Sequence, residues 1–233
     1  GFDHHRSDFE RVAPWRMACL RKAWNGFAER ASDECRAALA EVEALGGALL
    51  EELPPAPLET TTSSEVVINA PAARVWAELH DIRDLPAAGD NLLFQFGVAH
   101  PVSTVTDGQG VGAARLCKLS TGDMPEIITV WKLGQELRFK VLSTPPSMRE
   151  LGFFGQTIDT THIHSAYASL EGGFKLTTLP DGRTKLVGES HYLLNIAPAS
   201  YWNLWTEEIV HMVQRRVLEH VKTRAEAGPK SPK

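Results

Sequence analysis

Two histidines one residue apart, His162 and His164, form the shortest chemical constellation in the chain. On an extended strand residues two apart point the same way, so the pair can share a metal ion or present two imidazoles to one substrate. Strand parity brings further polar residues to the same side. Leu137, Phe139 and Val141 alternate with Arg138 and Lys140, Phe174 and Leu176 with Lys175, and Leu186 with Lys185, so the charged positions mark the outside. Extended without a bulge, that phase turns His162 and His164 inward with Phe174, turns Ser190, Tyr192 and Leu194 inward with Leu186, and sets Arg115 opposite outward Lys118. A bulge at Gly172-Gly173 would invert the histidines. In a dry pocket, histidine suits proton transfer, tyrosine can hydrogen-bond an enolate and arginine can hold developing negative charge. The bland alternative is that Arg115 pairs with a carboxylate, Tyr192 fills core and the histidines satisfy backbone carbonyls.

Other chemistries find less support. The cupin metal pattern wants a glutamate four or five residues after the second histidine, where Ala168 and Ser169 stand, and Glu171 is late and of opposite parity. No metal is therefore expected, and hydrogen-bonded histidines are the preferred reading. His4-His5 has no third ligand nearby. Cys117 shares the phase of Arg115 and reads as a small hydrophobe, and no G-x-S-x-G elbow is present. The run Gly108 to Gly112 lacks the lysine and following helix of a phosphate loop and reads as a hairpin turn.

The elements that must position these groups are legible in outline. From Pro198 to Glu226 nothing interrupts a helical pattern, which predicts about 28 residues of helix, roughly 42 Å long. Trp202, Trp205, Ile209, Val210, Met212, Val213, Val217 and Val221 form its expected buried arc, with Arg216 and His220 as polar intruders, and Leu204, His211 and Leu218 along its back. Ser64 to Ile82 reads as a strand (Val66, Ile68), a helix capped by Asn69 with Val75, Trp76 and Leu79 inward, and a loop. Strands are then expected at 92–98, 102–106, 111–119, 127–132, 137–142, 162–179 and 184–194, punctuated by glycine turns at hairpin spacing.

Ahead of these, a helical pattern from Pro14 carries an apolar seam of Phe27, Ala31, Cys35, Ala38, Val42, Leu45, Leu49 and Leu53, which needs a partner. Pro54-Pro55-Ala56-Pro57 ends it. The domains expected are a helical extension with a proline-rich linker at 1–58, a ligand-binding domain at 59–228 and a disordered tail at 229–233.

Residues SEVVINAPAARVWAELHDI, the glycine-punctuated strands and the terminal helix resemble the START-like superfamily, which includes polyketide cyclase/dehydrase, lipid-transport and Bet v 1-like proteins. The resemblance covers roughly Ser64 to Glu226. TGDMPEIITVW, PPSMREL, HIHSAYASLEGGFKL, LPDGRTKLVGESHY and YWNLWTEEIVHMVQRRVLEHV are further similar to a largely uncharacterised bacterial subgroup, some of whose members carry membrane spans ahead of this domain. What the resemblance implies is an α+β helix-grip fold: a bent antiparallel sheet wrapped around the C-terminal helix, with an apolar cavity between them and no cofactor. The chain departs from the subgroup at His191, before Tyr192, and at Gln214, three residues after His211. The expected cavity residues are Phe94, Phe96, Arg115, Phe139, His162, His164, Phe174, Ser190, Tyr192, Trp202, Trp205 and Ile209.

The totals agree with one such domain plus an extension. The 233 residues are 43% hydrophobic and carry a net charge of −5, which gives no basic field for nucleic acid. Three scattered cysteines, Cys19, Cys35 and Cys117, point to reduced thiols and a cytoplasmic setting, with a membrane segment upstream of residue 1 left open. The expected partner is a small apolar or lipid-like ligand. A cyclase or dehydratase using Arg115, His162, His164 and Tyr192 is the alternative. A protein-interaction module that self-associates through the N-terminal helix is the third reading.

Overall fold

The computed structural model describes residues 57–227, apart from 84, 88, 90, 152–156 and 159–165. The N-terminal seam, His162 and His164 lie outside the described residues. Within them a strand, β1 (Leu58–Ile68), leads into α1 (Ala72–His80), the short α2 (Leu92–Gln95) and a meander of β2 (Pro101–Asp107), β3 (Ala114–Leu119), β4 (Gly122–Lys132) and β5 (Glu136–Val141). A minor pair, β6 (Glu150–Leu151) and β7 (Thr157–Ile158), precedes the long β8 (Tyr167–Thr178) and β9 (Thr184–Leu194), and α3 (Ala199–Glu226) closes the chain. Seven strands form one antiparallel sheet in the order β1-β9-β8-β5-β4-β3-β2, so the first strand returns to pair with the last.

Alternation drives the sheet against the helix. On β9, Thr184, Leu186, Gly188, Tyr192 and Leu194 are buried; on β5, Leu137, Phe139 and Val141 are. Each places its apolar side on the concave face. There Ile68, Val75, Trp76, Leu79, Ile128, Leu137, Leu176 and Leu186 pack with Val217, Leu218, Val221 and Ala225 of α3. A smaller cluster of Tyr192, Leu194 and Val210, with Leu58 and Tyr167 against it, lies toward the other end of the helix. The helix is thus gripped at both ends of its contact with the sheet.

Three local expectations need correction. Residues 92–98 are not a strand: the Asn91 side chain accepts hydrogen bonds from the amides of Leu93 (3.1 Å) and Phe94 (3.3 Å), the N-cap arrangement that starts a helical turn. Asn69 does not cap α1, which begins after Pro71; its amide instead donates to the Glu226 carboxylate at 2.7 Å, tying the end of α3 to the end of β1. The buried arc of α3 is also rotated, comprising Val210, Gln214, Val217, Leu218, Val221 and Ala225, while Trp202 is 39% exposed. A helix held in a concave sheet is contacted over more of its circumference than one laid on a flat layer, so Leu218, expected on the back, is 1% exposed.

The loops that close over the sheet are held by backbone contacts. Gly97 has φ +94, and a Cβ there would sit 1.6 Å from the Arg149 carbonyl, so only glycine permits the close pairing of segment 97–99 with 147–149. Arg216 on α3 donates to the carbonyls of Pro86 and Ala87, and His220 Nε2 lies 2.9 Å from the Arg83 carbonyl oxygen. These two side chains, out of place on an apolar arc, hold the loop between α1 and α2 against the helix.

Candidate functional site

Between the concave face and the middle of α3 the structure leaves a cavity of about 110 Å³. One wall is helix, through Val213, Gln214, Val217 and Leu218; the other is sheet, through Arg115, Cys117, Glu126, Phe139, Phe174 and Ser190, among others. Glycines clear space on β8 and β9. A Cβ at Gly172 would meet the Phe139 ring at 2.6 Å, and one at Gly188 would lie 3.4 Å from Leu218. The bare backbone of Gly172 lets the edge of the Phe139 ring come close to β8.

The cavity wall holds an ion pair. Arg115 on β3 and Glu126 on β4 are register partners, and Arg115 Nη1 donates to the Glu126 carboxylate. Their side chains are 3% and 1% exposed. The guanidinium carbon sits 4.3 Å from the centre of the Phe139 ring, a cation–π contact that fixes the plane of the group. Arg115 Nε has no hydrogen-bond partner among the described residues. Burial raises the Glu126 carboxyl above its ordinary range, an effect the neighbouring guanidinium opposes. Burial, followed by the charge of Glu126, pushes the Cys117 thiol up to about 11, which makes it inert as a nucleophile.

A second polar cluster spans the seam between β1, β9 and α3. Gln214 Nε2 donates to the Thr62 carbonyl (2.9 Å) and to Ser190 Oγ (3.0 Å), while Gln214 Oε1 accepts from Ser64 Oγ (2.7 Å). His211 Nδ1 lies 2.7 Å from Ser64 Oγ, and its Nε2 lies 3.8 Å from Glu207. Serine, histidine and glutamate in this order resemble a hydrolytic triad, yet the serine proton is committed to Gln214. His211 Nδ1 must then be the donor, and Ser64 has no base to activate it. The cluster is structural.

The expected cavity residues divide accordingly. Arg115, Phe139, Phe174 and Ser190 line the cavity. Tyr192 is fully buried beside it, with its hydroxyl donating to Asn203 (3.1 Å) and 3.3 Å from Thr62 Oγ1. Phe94 is carried away by the turn of α2 and packs on His100, with ring centres 4.7 Å apart; Phe96 follows it at the C-cap. Trp202, Trp205 and Ile209 belong to the first turns of α3 and are not among the residues lining the cavity, and the Trp202 indole donates to the Ala197 carbonyl. Glu126 and Gln214 were missed as site residues. The signal for Glu126 was its position two residues before inward Ile128, provided β4 is begun early enough.

A bent antiparallel sheet closed over a long C-terminal helix, with a cavity between them, defines a helix-grip protein, the architecture the START-like resemblance implies. No family model matches the chain, and no curated protein matches it. Among solved structures it is similar to the Zhui aromatase/cyclase from Streptomyces sp. R1128, at 15% identity and TM-score 0.46, covering 72% of this chain and 94% of that one. It is similar also to a protein from Nitrosospira multiformis (16%, TM-score 0.44, 70% and 94%) and to one from Mesorhizobium loti (14%, 0.41, 73% and 100%). The chemistry of the site rests on this chain's own residues. Among the described residues no three His, Cys, Asp or Glu side chains are grouped to hold a metal, and no helix is long and apolar enough to cross a membrane.

Proposed function

We propose that the protein binds a small, largely apolar molecule in the cavity between sheet and α3, with Arg115 as its polar anchor. The observation that carries this reading is a guanidinium 3% exposed in an apolar cavity and not saturated by Glu126, its carboxylate partner among the described residues. Burying an ion pair costs several kcal/mol per ion, and apolar replacements of the same volume are often as stable or more so. A pair kept at the wall of a cavity is better explained by what it offers an occupant than by what it adds to the fold. The volume sets the scale of that occupant. Drug-sized ligands need about 300–1,000 Å³, whereas a cavity of about 150 Å³ takes one benzene. At about 110 Å³ the site suits nothing larger than a single ring, and a lipid chain would need α3 to move off the sheet.

The test is native mass spectrometry of the protein as purified, followed by titration with small cyclic ketones and phenols. A bound organic mass that Arg115→Met loses supports the reading. A ligand-free protein that none of these compounds binds overturns it.

A second reading, proton transfer in the same cavity, is favoured by Glu126. A carboxyl raised by burial beside a cation is suited to take a proton from carbon alpha to a ketone while Arg115 holds the enolate oxygen. Exchange of ketone alpha protons for deuterium in D2O, followed by NMR and lost in Glu126→Gln, would support it; exchange at the solvent rate would exclude it for the ketones tried.

A further inference from the structure

The sheet wall supplies, on β9, a donor that the fold does not use. Ser190 Oγ accepts from Gln214 Nε2, and the Gln214 amide cannot be turned over, because its oxygen would then face the Thr62 carbonyl. Ser190 is therefore an acceptor in that contact. Its hydroxyl hydrogen has no acceptor among the described residues, and Ser190 lines the cavity. Arg115, on β3 of the same wall, is also a donor with capacity left over.

We infer that the ligand is an uncharged, ring-sized molecule with two oxygen acceptors, one held by Arg115 and the other by the Ser190 hydroxyl. This specificity rests on the binding function proposed above. Charge follows from the partners. Arg115 and Glu126 together are neutral, Ser190 and Gln214 are neutral, and Glu171 and Glu189 also line the cavity, so an anionic ligand would bring an uncompensated charge beside carboxylates. Placement follows from the register. Ser190 pairs with Gly172, the Phe139 ring reaches over Gly172, and that ring carries the Arg115 guanidinium, so both donors serve the same stretch of the sheet wall.

Three probes of similar size test this: cyclohexane-1,4-dione, cyclohexanone and cyclohexanecarboxylate, titrated into the full chain by protein-observed NMR. The expected result is that the dione binds about tenfold more tightly than the monoketone, that this advantage disappears in Ser190→Ala, and that the carboxylate binds most weakly. A dione no tighter than the monoketone, an advantage that persists in Ser190→Ala, or a carboxylate that binds best would each overturn the inference while leaving a ligand cavity in place. Failure of all three to bind would overturn the inference and the proposed binding function together. The thermal midpoint of Ser190→Ala, expected within about 2 °C of wild type because Gln214 keeps its bond to Thr62, separates lost recognition from lost folding.

Discussion

Arg115 and Glu126 face each other across adjacent strands and share a hydrogen bond at the wall of the cavity, each side chain almost wholly withdrawn from water. The arrangement makes single and double substitutions behave differently. Glu126→Leu leaves a guanidinium buried without its carboxylate and is expected to cost about 3–5 kcal/mol, whereas Arg115→Met combined with Glu126→Leu should lie within about 1–2 kcal/mol of wild type. Urea denaturation of the three variants gives the comparison. A double variant as unstable as the sum of its singles would show the two groups to be uncoupled.

Gly172 and Phe139 form the floor beneath that pair. Gly172→Ala places a methyl group 2.6 Å from the Phe139 ring, too close to be accommodated without moving it, and overpacking of this kind costs about 1–3 kcal/mol. Phe139→Leu in the same background relieves the clash, so the two changes should be less costly together than their sum, with a coupling of about 0.5–2 kcal/mol from denaturation midpoints.

The sheet was readable because each strand carries charges on one side and large apolar groups on the other. Arg115, Ser190 and Tyr192 were placed on the inner face by that alternation alone, and all three are buried or line the cavity. Three things hid the rest. The strand expected at 127–132 starts one residue after Glu126, which concealed it, whereas β4 runs through Pro125 from Gly122. Asn91 turned an apparent strand into a capped turn and took Phe94 with it. The amphipathic arc of α3 was read as for a flat surface, so Gln214 and Leu218 fell outside it. A polar residue at a buried helix position has no period of its own; only its partners on β1 and β9 explain Gln214.

Glu136 links the sheet to pH. Hydrogen bonds from Lys132 (2.5 Å) and Arg138 (2.9 Å) hold its carboxyl at about 2, against an ordinary value of 4.5. A carboxyl depressed in the folded state contributes stability above its unfolded value and loses it as pH falls through the folded one. The denaturation midpoints of wild type and Glu136→Gln should therefore converge toward pH 2 and separate as pH rises from about 2 to 4.5, with wild type more stable and the difference constant above that. Lys132 is 61% exposed, so added salt should shrink the difference. Curves that stay parallel across this range would remove Glu136 from the acid limb.

The Cys117 thiol offers a reporter for the cavity. It is 7% exposed and raised to about 11, so at pH 8 it should resist iodoacetamide in the folded protein for hours and react within minutes in denaturant. Peptide-resolved mass spectrometry distinguishes it from Cys19 and Cys35. Rapid native alkylation at Cys117 would mean that the helix lifts from the sheet often enough to admit the reagent.

Among the described residues, Gln214 is the one side chain that joins β1, β9 and α3 through three hydrogen bonds, and it does so at 7% exposure. Gln214→Met keeps its length and volume but leaves the Ser64 hydroxyl without its acceptor and removes the donor to Ser190. Each stranded buried group costs about 1–3 kcal/mol, while the freed Ser64 proton can turn toward His211, only 2.7 Å away, and recover part of the loss. The net expectation is about 2 kcal/mol by urea denaturation. Ser64→Ala should then cost less in the Gln214→Met background than in wild type, because the network it would break is already open. The rearrangement also has a spectroscopic mark. Once Ser64 donates to it, His211 Nδ1 becomes an acceptor, and the imidazole must shift to the tautomer protonated at Nε2, facing Glu207. Nitrogen chemical shifts of the His211 ring should exchange their donor and acceptor values between wild type and Gln214→Met. An unchanged tautomer would show that Ser64 does not give its proton to Gln214 in the wild-type protein.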